Sequence, residues 1–196
     1  ASFVATWDHS GNTSFPDRGT GYNYYDGSSF GDMLDTRIEP VKSGWPSIAA
    51  CGDGEILASH ASGTNVYYRP TKGQGEWTLV QYFPNATWPR IVCSGSNDQY
   101  VHLVTAYQES VDGVYMNHIY YARSTDSGQT WSDLVEFPNL DNSEYGDSRN
   151  QLSADDYVMA ANGNDVILEE VELPLDAGRP YFFYATAENL EGIYTG

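Results

Sequence analysis

Tyr120-Tyr121-Ala122-Arg123-Ser124-Thr125-Asp126-Ser127-Gly128-Gln129-Thr130-Trp131 reads as an aromatic-rich strand, a polar turn containing glycine, and an aromatic side chain that closes back on the sheet. Three other segments repeat the pattern. Tyr24-Tyr25-Asp26-Gly27-Ser28-Ser29-Phe30 is the first, and Tyr67-Tyr68-Arg69 running through Gly73-Gln74-Gly75-Glu76 to Trp77 is the second. Phe183-Tyr184-Ala185-Thr186-Ala187-Glu188-Asn189-Leu190-Glu191-Gly192-Ile193-Tyr194 is a weaker copy near the end of the chain. The closing aromatics Phe30, Trp77, Trp131 and Tyr194 recur at intervals of roughly 50 to 60 residues, the length of one four-stranded sheet with variable loops.

A second landmark precedes the hairpins. Gly44-Trp45-Pro46-Ser47-Ile48-Ala49-Ala50-Cys51 followed by Gly52-Asp53-Gly54-Glu55-Ile56-Leu57-Ala58 matches Trp88-Pro89-Arg90-Ile91-Val92-Cys93 followed by Gly95-Ser96-Asn97-Asp98-Gln99-Tyr100-Val101-His102-Leu103. Tyr157-Val158-Met159-Ala160-Ala161, then Asn162-Gly163-Asn164-Asp165 and Val166-Ile167-Leu168, is a third version. Each is a short apolar strand, a Gly/Asp/Asn turn and another apolar strand. Set before an aromatic hairpin, this pair makes four strands per unit, two of them apolar and small, two aromatic and polar. Such a unit hides neither face alone, so the repeat predicts an all-β β-propeller of four-stranded antiparallel blades. The blade hairpins fall near 22–31, 66–80, 119–135 and 181–195, within one domain spanning 1–196.

Composition agrees with short strands and tight loops. The chain of 196 residues has Tyr 16, Phe 7 and Trp 5, with Gly 19 and Pro 9 to make turns. Its formal net charge of −18 repels phosphate backbones and anionic lipid headgroups, which argues against nucleic-acid and membrane-surface roles. No apolar stretch approaches the roughly 18 residues that span a bilayer. Beginning at Ala1 without an initiator Met, the chain reads as mature or as an excerpt, and as extracellular or cell-surface in character. An acidic loop could hold Ca2+, although no EF-hand spacing occurs and no other metal or cofactor is expected. Sequons stand at Asn12 and Asn85.

Cys51 and Cys93 are the only cysteines, with no CxxC pattern. Two readings stay open, a disulfide between them or two buried thiols at strand ends.

Ser124-Thr125-Asp126-Ser127-Gly128-Gln129-Thr130-Trp131 fits Ser/Thr-x-Asp-x-Gly-x-x-Trp and resembles the Asp-box of sialidases and many other propellers. The resemblance implies a structural turn, with Asp126 bonding the turn's own backbone, Gly128 in a conformation closed to residues with a Cβ, and Trp131 between blades. Over roughly residues 15 to 165 the chain also resembles secreted Asp-box propeller proteins of Bacteroidetes, through Arg18-Gly19-Thr20-Gly21-Tyr22-Asn23-Tyr24, Thr36-Arg37-Ile38-Glu39, Ser43-Gly44-Trp45-Pro46-Ser47 and Thr87-Trp88-Pro89-Arg90. That family is commonly exported with a C-terminal sorting domain, which the final stretch here does not display. Six or seven blades would need upward of about 300 residues. The chain therefore reads as about four blades, either a compact ring or part of a larger one whose open edges another segment or chain covers.

Trp45, Trp88 and Arg90, at the starts of inner strands, and Arg37 just upstream are the candidate ligand-binding residues, placed near a channel mouth where tryptophan stacks on sugar faces or clamps a peptide. The competing reading makes both Trp-Pro pairs packing at blade starts. A sialidase-type glycoside hydrolase, the enzymatic alternative, needs three converging arginines and a Tyr/Glu nucleophile, and only Arg90 faintly resembles that signature. Asp155-Asp156 and Glu169-Glu170 are adjacent on strands and point to opposite faces, which suits a solvated edge better than a catalytic couple. No catalytic residue is assigned. The expected role is a carbohydrate- or protein-binding surface module, with a structural subunit of a surface assembly as a further alternative.

Overall fold

The computed structural model describes residues 1–8, 10–111, 114–136, 154, 157–162, 165–170 and 181–186. Thirteen strands run in chain order: β1 (Ser2–Trp7), β2 (Gly19–Tyr24), β3 (Gly44–Cys51), β4 (Gly54–His60), β5 (Gly63–Arg69), β6 (Thr78–Pro84), β7 (Ala86–Ser94), β8 (Tyr100–Val111), β9 (Val114–Ser124), β10 (Val135–Glu136), β11 (Tyr157–Asn162), β12 (Asp165–Glu170) and β13 (Tyr181–Thr186). They form four antiparallel sheets, β1-β2, β3-β4-β5-β6, β7-β8-β9-β10 and β11-β12-β13, in which neighbours in sequence are neighbours in space. The all-β class is thus observed, with no helix among the described residues. Asp155, Asp156, Tyr194 and the second half of the 181–195 hairpin lie outside those residues.

Turn chemistry explains the meander. Gly52, at φ 59°, turns β3 into β4 with Cys51 opposite Gly54, and Gly95, at φ 90°, lies in the corresponding connection from β7 to β8. The aromatic hairpins are held by their own side chains. Asp26 Oδ1 accepts the amides of Ser28 and Ser29 at 2.7 and 2.9 Å. In the third sheet, Ser124 Oγ accepts the Gly128 amide at 2.8 Å while Asp126 accepts the Thr130 amide and hydroxyl at 2.8 and 2.6 Å. Burial tends to raise the Asp126 pKa, but these donors together hold its carboxyl below the ordinary value.

The sheets stack through side chains. β4 is buried along almost its whole length because it is covered on both faces, which is why Glu55-Ile56-Leu57-Ala58 shows no apolar–polar alternation. Its Ile56 and Ala58 join Val66, Phe83, Ala86, Ile91, Val101, Leu103 and Ala122 in one core shared by the second and third sheets. Trp131 packs against that core, edge-on to Phe83 with ring centroids 5.8 Å apart. Trp77 makes the corresponding contact one sheet earlier, edge-on to Tyr22 of β2 at 5.8 Å.

Between the first two sheets lies a buried ion pair that carries no sequence motif. Glu55 Oε2 accepts Arg69 Nε at 2.7 Å and the Gly73 amide at 3.1 Å, and Tyr22 and Ser2 donate their hydroxyls to the same carboxylate. The Arg69 guanidinium is sandwiched 4.2 Å from the Tyr22 ring and 4.4 Å from the Trp77 ring. Burial alone would raise the Glu55 pKa, yet Ser2, the Gly73 amide and Arg69 lower it below the ordinary carboxylate value. The same burial raises Tyr22 to about 12. Every charge here has a partner, so the cluster reads as a clamp between sheets.

Candidate functional site

The two Trp-Pro pairs break their strands in the same way. Proline has no N–H for a ladder and is tolerated in a sheet chiefly at edges and bulges. The register of β3 against β4 shifts between Gly44 and Ser47, and that of β7 against β8 shifts between Thr87 and Arg90. Both tryptophans adopt left-handed backbone, with φ 48° at Trp45 and 51° at Trp88. For a residue with a Cβ this costs about 1–2 kcal/mol, so each bulge holds a strained tryptophan that the surrounding structure must enforce.

The bulges bring the two indoles together. Trp45 and Trp88 lie edge to face with ring centroids 6.4 Å apart, and His60, the last residue of β4, sits 5.7 Å from the first and 6.3 Å from the second. Trp45 is 38 % exposed. The Arg18 guanidinium lies 5.6 Å from the Trp45 ring and is held by its Nε donating to the Ser43 carbonyl at 2.9 Å. Thr6 Oγ1 accepts the Trp45 amide at 3.0 Å, fixing the bulge against β1.

Beneath the rings the site is polar. Thr87 Oγ1 lies 2.8 Å from His60 Nδ1, and Thr105 Oγ1 donates to the Thr87 carbonyl at 2.7 Å. Burial, reinforced by the Arg18 charge, pushes the His60 pKa below its ordinary value, so the ring is neutral at pH 7 and able to accept as well as donate. Trp88 Nε1 is buried with no hydrogen-bond partner. A donor left in that condition is costly, and Trp77 Nε1 shares it.

Arg90 and Tyr157 form the side of the site toward the fourth sheet. The Tyr157 hydroxyl donates to the Trp88 carbonyl and accepts the Ala106 amide at 3.1 Å. Arg90 donates to the Ala154 carbonyl at 2.5 Å, with its guanidinium 5.7 Å from the Tyr157 ring. Arg37 stands elsewhere. It donates to the carbonyls of Glu39, Pro16 and Pro40 at 3.0, 3.2 and 3.3 Å, and its stem covers Gly19 so closely that a Cβ there would sit 2.5 Å away. It staples the loop around residues 16 to 40.

Of the four candidate ligand-binding residues, the structure brings Trp45 and Trp88 together around His60, sets Arg90 against Tyr157 and the Ala154 carbonyl, and puts Arg37 in a loop. It adds Arg18, His60, Thr87 and Tyr157. His60 had a readable signal, since counting pairs back from the Gly52-Asp53 turn brings it opposite Trp45, and the bulge then shifts it to pair with Gly44. Four of the described arginines engage different partners: Arg18 the Ser43 carbonyl, Arg37 the carbonyls of Glu39, Pro16 and Pro40, Arg69 Glu55, and Arg90 the Ala154 carbonyl. Arg149 and Arg179 lie outside the described residues. Among the described residues no group of three or more His, Cys, Asp or Glu side chains is disposed to hold a metal ion.

Cys51 and Cys93, at matching positions of β3 and β7, are free thiols. A hydrogen bond with Cys51, together with burial, raises the Cys93 thiol pKa above the usual range. No protein-family model and no curated protein matches the chain.

Proposed function

We propose that the chain is a β-propeller module of the secreted Asp-box type that binds a carbohydrate or protein ligand on the aromatic cluster of Trp45, His60 and Trp88. The propeller reading, about four blades or a segment of a six- or seven-bladed ring, is supported by antiparallel meanders that follow one another in chain order and stack face to face. It is supported too by side-chain bonds between successive first strands, Ser47 Oγ accepting the Ile91 amide at 3.0 Å and Tyr157 bonding the Trp88 carbonyl.

The observation that carries the binding reading is the pair of strained tryptophans. A core tryptophan needs no left-handed backbone, whereas here two bulges hold two indoles in that conformation and leave Trp45 partly exposed beside a cation. Exposed indole faces stack on the C–H face of a sugar or on a flat side chain, and His60 would supply a directional hydrogen bond.

Trp45→Gly separates this from simple packing. Glycine adopts the left-handed conformation without strain, so the variant should keep or slightly raise its melting temperature. Against ligands identified on glycan and peptide arrays, its affinity should fall at least about tenfold in calorimetry. A fall of many degrees in melting temperature with unchanged affinity would assign the Trp-Pro pairs to packing.

A further inference from the structure

Arg18 stands over the aromatic cluster with the end of its fork unused. Its carbonyl accepts the Ser43 amide at 3.1 Å and its Nε donates to the Ser43 carbonyl at 2.9 Å, so backbone and side chain are tied to the same residue. The guanidinium lies across Gly44, where a Cβ would meet Nε at 3.6 Å, and reaches to 5.6 Å from the Trp45 ring. Among the described residues Nη1 and Nη2 find no hydrogen-bond or ion-pair partner, and neither is enclosed. Other arginines spend that end of the fork on the protein. Arg37 donates from both terminal nitrogens to the Pro16 and Pro40 carbonyls, Arg69 Nη2 meets Glu55, and Arg90 Nη2 donates to the Ala154 carbonyl.

The sign of this charge runs against the rest of the molecule. Asp and Glu outnumber Lys and Arg 27 to 9, yet the carboxylates in the loops around Arg18 are turned to other donors. Asp8 accepts the Asp17 amide and the Ser10 hydroxyl, Glu39 is buried against the Thr20 amide and hydroxyl, and Asp17 lines a separate cleft with Asp35 and Arg37. The charge that acts on His60 is that of Arg18. Salt screens charges more than about 8 Å apart at physiological ionic strength, so at the cluster the local cation outweighs the distant acidic surface.

Side chains are what the cluster offers a ligand. Thr6 takes the Trp45 amide, Tyr157 takes the Trp88 carbonyl, and Ser43 commits its amide and carbonyl to Arg18. An extended peptide is gripped chiefly through free backbone groups, which those bonds consume. A sugar is held by stacking on an indole and by side-chain hydrogen bonds. We propose that the ligand of this cluster is an acidic saccharide, its carboxylate or sulfate group held by Nη1 and Nη2 of Arg18 while the ring that carries it lies on the exposed part of Trp45. The assignment rests on the reading of the cluster as a binding site and adds the charge of what it binds. A carboxylate meets the guanidinium fork through paired oxygens, and a sulfate ester presents its oxygens to the same donors.

The test presents the full chain with oligosaccharides in pairs that differ only in charge: uronate chains beside their carboxyl-reduced forms, and sulfated galactans beside their desulfated forms. Glutamate-rich peptides stand for the other class of acidic ligand. The chain should prefer the charged member of a pair at least about tenfold, and the kind of pair that shows the preference identifies the anion. In calorimetry on the wild type that preference should shrink as salt is raised, a result that does not depend on any variant folding. Arg18→Gln should bind both members alike, and Arg18→Lys, with the charge but no fork, should keep part of the preference. Equal binding of charged and neutral sugars, both lost in Trp45→Gly, would overturn the acidic ligand and leave the aromatic site standing. So would an unchanged preference in a folded Arg18→Gln. Retention of acidic peptides in place of sugars would overturn the saccharide, and failure to retain any probe would overturn both readings.

Discussion

Histidine 102 shows what one buried side chain can impose on the molecule. It is fully buried in β8, with Ser94 Oγ 2.8 Å from its Nε2 and the Tyr121 hydroxyl 2.8 Å from its Nδ1. The ring is satisfied in its neutral form, and burial, aided by the Arg123 charge, lowers its pKa from 6.5 to about 4. Between those two values the unfolded chain takes up a proton that the folded one refuses. The stability this residue contributes is therefore complete above pH 6.5 and is lost as pH falls toward 4, by about 3 kcal/mol in all. His60, lowered for the same reason, acts in the same direction. Thermal unfolding at intervals from pH 7 to pH 4 should show a progressive fall, and His102→Gln should flatten it. An unchanged slope in that variant would place the pH dependence elsewhere.

Elements were legible in the sequence wherever a turn and an apolar or aromatic run coincided. Gly52-Asp53-Gly54 between two apolar runs gives β3 and β4, and the strand before Gly73-Gln74-Gly75 gives β5, because glycine turns and apolar runs are local signals. β1 was not legible: Ser2-Phe3-Val4-Ala5-Thr6-Trp7 becomes a strand by pairing with β2 across a loop that no periodicity announces. The site follows the same rule. Trp45 and Trp88 could be picked out because the Trp-Pro pairs repeat, but the role of Arg37 could not, since its partners are backbone carbonyls that every residue type carries equally. Element-scale packing also sets a glycine requirement. Gly128, at φ 83°, turns β9 back toward β10, and a Cβ there would lie 2.5 Å from Ile56 Cδ1 of the neighbouring sheet. Gly128→Ala combines left-handed strain with overpacking and should cost about 2–4 kcal/mol in urea unfolding, whereas Gly75→Ala, with open space around it, should cost only the strain.

At the scale of the whole molecule, no strand of one sheet pairs with a strand of another among the described residues, where the stack rests on side chains. The Glu55–Arg69 clamp joins the first sheet to the second, the core around Ile56 and Leu103 joins the second to the third, and Tyr157 joins the third to the fourth. Cys51 and Cys93 stand at the second of these interfaces as free thiols, Cys51 inside the shared core and Cys93 packed against it. Two thiols at one interface can exchange with glutathione disulfide, each giving up one hydrogen as the reagent is reduced to two glutathione molecules. The bond would close a loop of some 40 residues and, by restricting the unfolded chain, stabilise the protein by about 4 kcal/mol if the native geometry accommodates it without strain. Incubation with glutathione disulfide should therefore lower the intact mass by two hydrogens, join the Cys51 and Cys93 peptides in a non-reducing digest and raise the melting temperature, with Cys93→Ser unresponsive. Mixed disulfides with glutathione in place of the internal bond would show that the strand ends of β3 and β7 do not approach closely enough to be bridged, and that the interface holds by packing alone.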